Sequence, residues 1–138
     1  MTIKCPPSAV LAFIFGAALA LASCSGGERI GGPLIVEVDT TSPRSILATV
    51  NENAQKCWIR SGSRQFRALS VIPELDTGVG NPRLLVVGRG KGGGLPKLVI
   101  EASGDPVKIT TYGPLASAGV SARINDDVIA WSAGKTGC

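Results

Sequence analysis

The sequence predicts an α+β domain of two layers, an antiparallel sheet covered on one face by two amphipathic helices. Two observations carry that expectation. Apolar residues recur at helical spacing in two separated segments, close to residues 42–55 and 120–133. Between them the chain breaks into short alternating runs parted by Gly, Pro, Asn and Ser, as half-buried antiparallel strands do. The expected order is β-α-β-β-β-β-β-α over residues 34–138, a span suited to a single globular domain.

Each element has its own warrant. In "LIVEVD", Leu34, Val36 and Val38 alternate with Glu37 and Asp39, which predicts a strand. Ser42 is placed to cap a helix, with Pro43 at the first helical position, where its missing N–H costs nothing. Ile46, Val50 and Ala54 repeat every four residues beside Leu47, so this helix is expected to end near Gln55. "KCWIR" (56–60) and "QFRALSVI" (65–72) read as strands separated by Ser-Gly-Ser, and "PELDTGVGNP" (73–82) as a turn or longer loop. "RLLVVGR" (83–89), "PKLVIEA" (96–102) and "DPVKITTY" (105–112) complete the sheet. Leu98, Ile100 and Ala102 share a face opposite Lys97 and Glu101. Val120, Ile124, Val128 and Trp131 return to helical spacing, and this helix is expected to stop before Gly134. Beyond residue 24 the aromatics are Trp58, Phe66, Tyr112 and Trp131, so the core must rest mainly on Val, Ile, Leu and Ala.

The first 24 residues obey different physics. Lys4 gives a positive start, and no further charge occurs before Glu28. The apolar run from Ser8 to Ala22 is shorter than the roughly 20 residues that cross a bilayer as a helix. A charged start, a short apolar segment and small residues at its end form the pattern of a cleaved secretory signal. Its last residues, Leu21-Ala22-Ser23-Cys24, resemble the lipobox of bacterial lipoproteins.

That resemblance covers the leader alone. It implies a diacylglyceryl group on the Cys24 thiol, cleavage just before Cys24 and acylation of the new amino group. Residues 1–23 are then a lipoprotein signal peptide, residues 24–33 a lipidated cysteine with a Gly-rich tether, and residues 34–138 the domain. Two or more acyl chains hold a protein stably on a membrane without a spanning helix. The resemblance also implies the bacterial cell envelope. In enteric-type lipoproteins Asp after the cysteine favours the inner membrane, so Ser25 implies the outer membrane, facing the periplasm. The other reading is an ordinary signal peptide whose Cys24 pairs or stays free.

With Cys5 discarded and Cys24 lipidated, Cys57 and Cys138 remain. Two leftover cysteines in an oxidising compartment are expected to pair. Closing a loop of roughly 80 residues is worth roughly 4 kcal/mol by chain entropy, and the bond would pin the C-terminus. No Cys-x-x-Cys spacing points to a redox pair.

The chain contains no histidine, which removes Ser-His-Asp and Cys-His nucleophiles and histidine metal sites. Neither catalysis nor a metal or cofactor is expected. Glu74 and Asp76 read as two commonplace acids in a turn rather than a glycosidase pair, and Asp126 and Asp127 on a helix read as a solvated face rather than calcium ligands. "VGRGKGGGLP" (87–96) invites a phosphate-loop reading, but Lys91 is followed by glycine, and the next segment reads as a strand. A hairpin loop is the better account.

Losing Lys4 with the leader lowers the formal net charge from +4 to +3, far from the basic density that marks nucleic-acid binding. Arg60, Arg64 and Arg67, interleaved with Trp58 and Phe66, form a local basic cluster. It reads either as a contact for an envelope protein or anionic lipid, or as a solvated edge that deters strand pairing. The expected function is non-enzymatic: a membrane-anchored envelope lipoprotein acting as an interaction or assembly module. The alternative is a module that binds lipid or a small apolar ligand, because the helix-sheet-helix order resembles the helix-grip domains of some envelope lipoproteins.

Overall fold

The computed structural model describes residues 31–40, 42–90 and 94–138. The expected signal peptide, Cys24 and most of the tether lie outside those residues, as does Lys91. The fold is α+β. Its strands are β1 (Ile35–Val38), β2 (Leu69–Glu74), β3 (Arg83–Gly88), β4 (Leu98–Ser103) and β5 (Val107–Tyr112), and its helices are α1 (Pro43–Ala54) and α2 (Ser121–Ser132).

Helix α1 starts where the sequence places it. The Ser42 hydroxyl accepts a hydrogen bond from the Ser45 amide at 3.2 Å, with Pro43 in the first turn. The segment after it differs from expectation. "KCWIR" is not a strand: Gln55–Ile59 continue the helix as a π-helical turn, closed by Arg60 N–H donating to the Gln55 carbonyl at 3.0 Å. The physical reason is burial. Leu47, Val50, Ala54, Cys57 and Trp58 form one continuous buried stripe, and unwinding the helix at Gln55 would take Cys57 and Trp58 out of it. The sheet therefore has five strands, in the order β1-β5-β4-β3-β2, all antiparallel.

That order makes β2 to β5 a meander whose last strand returns beside β1, while α1 carries the chain from one edge of the sheet to the other. Such a connection needs a helix laid over one face. Register puts Val36, Ile109 and Ala102 in one row across that face, then Thr111, Ile100 and Leu84, then Leu98, Val86 and Val71. These pack against Leu47, Val50, Ala54, Ile124 and Val128 of the helices.

The aromatics gather at one point of this layer. Trp58 stacks on Phe66 with ring centroids 5.0 Å apart and meets Trp131 at 5.2 Å. Both indole N–H groups are satisfied: Trp58 donates to Asp127 at 2.8 Å and Trp131 to the Gly137 carbonyl at 3.0 Å. Cys57 and Cys138 form a disulfide with Cα atoms 5.2 Å apart, as expected of the two leftover cysteines. Gly137 N–H also donates to buried Asn53, so the C-terminal tail is tied to α1 through Asn53 and to the π-helical turn through Cys57.

Candidate interaction site

The space between sheet and helices is filled by side chains, so the surfaces with chemistry to offer lie outside it. The first is the sheet face that no helix covers. Register sets Ile72 opposite Leu85, Leu85 opposite Val99 and Val99 opposite Tyr112, one apolar row across β2, β3, β4 and β5. Val87 adds to it. Ile72 and Tyr112 are each 45% exposed, whereas Val99 and Val87 are shielded by their neighbours.

Beside this row runs a polar one: Glu74, Arg83, Glu101 and Thr110 are successive cross-strand partners. Arg83 donates to Glu74 at 2.6 Å, and Glu101 accepts from Asn81 at 3.0 Å and from the Tyr112 hydroxyl at 3.2 Å. The Glu74 carboxylate holds the Arg83 guanidinium above its ordinary pKa. The Tyr112 phenol is also raised, first because its position partly excludes water and then because the Glu101 charge opposes a phenolate.

The second surface is the arginine cluster. Arg60, Arg64 and Arg67 are all exposed, in the turn that follows the π-helical segment. The aromatics interleaved with them in sequence turn the other way: Trp58 and Phe66 are 1% exposed and belong to the core. A bond from Arg89 N–H to the Ala68 carbonyl at 2.7 Å brings the end of β3 beside this turn. Arg89 thereby joins a cluster that linear spacing confined to residues 60–67.

The other candidate residues have structural partners. Glu74 pairs with Arg83, and Asp76 pairs with Arg44 at 3.0 Å. Both acids line a shallow open recess of about 400 Å³ built from Pro73–Thr77. Asp127 is not a solvated acid. Its carboxylate, 14% exposed, accepts from Trp58 and from Arg123, each at 2.8 Å, and so locks α2 to the π-helical turn that follows α1. A second open groove of about 420 Å³ lies between β1 and the end of α2, lined by Val36, Val38 and Ile129 among others. Among the described residues no group of His, Cys, Asp or Glu is arranged to hold a metal ion, and no helix is long and apolar enough to cross a membrane.

Sequence reading missed the open-face row because periodicity says which residues alternate, not which strands are neighbours. It also missed the buried polar clamp at the start of the domain. Gly32 N–H donates to Ser121 Oγ at 3.1 Å, Asn125 donates to the Gly32 carbonyl at 2.9 Å, and Leu34 N–H donates to Thr111 Oγ1 at 2.8 Å. Gly32, which the sequence places in the tether, is thus held by α2. No protein-family model matches the chain, and no curated protein or solved structure shows significant similarity to it.

Proposed function

We propose that the protein is an acyl-anchored envelope lipoprotein whose α+β domain acts by contact, binding another envelope protein through its open sheet face. The observation that carries this reading is the apolar row Ile72–Leu85–Val99–Tyr112, bordered by the Glu74–Arg83–Glu101 polar row. Apolar residues in line with flanking charges combine burial with orientation, as interaction patches do. The leader, its lipobox resemblance and the Cys57–Cys138 disulfide support an oxidising envelope compartment.

A second reading, a module for a small apolar ligand, draws on the groove between β1 and α2. It is the weaker one. A helix-grip-like ligand would sit between sheet and helices, where Trp58, Phe66 and Trp131 already pack.

Photo-crosslinking in cells tests the proposal. A photoreactive residue at position 72 or 112 should give one defined protein adduct, which Leu85→Asp abolishes without loss of the disulfide. Adducts that form equally from position 129 in the groove, or that survive Leu85→Asp, would contradict it.

A further inference from the structure

The two ends of the sheet differ in charge, and the chain enters the domain at the basic one. Antiparallel register places the starts of β1, β2 and β4 together with the ends of β3 and β5. That end carries Arg60, Arg64, Arg67, Arg89 and Lys97, all exposed. No acid occurs among residues 60–68, 88–90, 94–97 or 113–120. Within the described residues the ion pairs involve other cations, Arg44, Lys56, Arg83 and Arg123. Glu52 is the acid near Arg60, and its carboxyl pKa is lowered first by its partner Lys56 and then by the Arg60 charge. The opposite end has Asp39, Asp76 and Asp105 against one exposed lysine, Lys108, and its two arginines, Arg44 and Arg83, are each taken up by a carboxylate.

The clamp on Gly32 fixes where the chain leaves the domain, beside the N-terminus of α2 and the end of β5. Seven residue steps separate Gly31 from Cys24, a reach of at most about 25 Å. Screening confines electrostatic attraction to about 8 Å at physiological ionic strength. Cations at the end where the tether enters lie nearer the anchor than those at the far end, and so come within that range more readily.

We infer that this basic end docks on an anionic phospholipid surface, its arginines and Lys97 against headgroup phosphates and Leu95 in the interfacial layer. The inference rests on the acyl anchor proposed above. Arginine suits phosphate because its planar donor fork can engage two oxygens at once. Leu95, 91% exposed in the loop between Arg89 and Lys97, distinguishes a bilayer from a purely acidic partner, because an apolar tip among cations gains only where there is hydrocarbon to enter. Val79 is as exposed, but its loop carries Asp76 instead of cations. Docked this way, the acidic end points away from the membrane. The row Ile72–Leu85–Val99–Tyr112 faces sideways, open to a neighbour in the same envelope.

The test uses the full-length protein from its own envelope, reconstituted in vesicles with or without phosphatidylglycerol in phosphatidylcholine. Each cation near an anionic surface strengthens association by roughly fivefold. Amides of residues 60–68, 88–90 and 94–97 should therefore exchange with solvent at least about fivefold more slowly on the anionic vesicles. High salt and the variant R64E/R67E/R89E should remove the effect, and residues 75–82 should exchange alike on both vesicles. Equal exchange on the two vesicle types, or protection of residues 75–82 instead, overturns the inference. The salt series needs no variant, so a misfolded triple mutant would not obscure the result. The intact mass of the same sample reports Cys24 acylation separately. An acylated chain with unprotected loops contradicts the docking alone, and an unacylated chain contradicts the anchor and the orientation derived from it.

Discussion

Tyr112 is the only tyrosine in the chain, so one residue reports on the open sheet face by itself. Partial exclusion of water, then the Glu101 charge, then the hydrogen bond to Glu101 hold its phenol above the ordinary tyrosine value. A folded-state pKa raised in this way stabilises the fold at pH values below the unfolded tyrosine pKa. That contribution is lost as pH rises through the folded one. Absorbance titration should place the phenol midpoint above that of the urea-unfolded chain, and Glu101→Gln should bring it part of the way back. Coincident folded and unfolded midpoints would contradict the packing described for this face. At this scale the sequence was legible where a residue acts through its neighbours in the chain, as Ser42 and Pro43 do. It was silent where the partner is remote: Asp127 read as solvated because Trp58, 69 residues away, is what it accepts from.

Among the elements, both helices and all five strands were legible to within a few residues, because each has its own period, and only the sixth expected strand, "KCWIR", is not one. The exception is instructive. Cys57, Trp58 and Ile59 favour strands by local propensity, but the stripe through Leu47, Val50 and Ala54 already runs at helical spacing into Cys57 and Trp58. Burial of that stripe outweighs a propensity that depends on context. The two edges of the sheet also differ in a way that only pairing reveals. On β2, Pro73 has no N–H to offer, and Gln55 donates to the Val71 carbonyl at 3.0 Å, which blunts that edge. The Cys57–Cys138 bond joins this helical end to the tail across 81 residues. Replacing both cysteines with serine should cost about 2–4 kcal/mol in urea denaturation. A loss below about 1 kcal/mol would mean that the Trp131–Gly137 and Gly137–Asn53 contacts hold the tail without it.

For the whole molecule, the organising feature is polarity along the strands. Arg60, Arg64 and Arg67 could be seen as a cluster in the sequence, but Arg89 and Lys97 join them only through the hairpin ends. That the chain enters at the same end depends on β1 pairing with β5, which no spacing predicts. The open-face row has the same origin: its four members come from four strands, and register alone aligns them. Anchor, basic end and open face then form one account, in which acyl chains set the place, cations set the orientation and the sheet meets the partner. Its premise is the fate of Cys24, and the most direct measurement is the intact mass of the protein extracted from its own envelope in mild detergent. The account predicts a chain that begins at Cys24 and carries the mass of its acyl groups. A mature chain without acyl mass would contradict it.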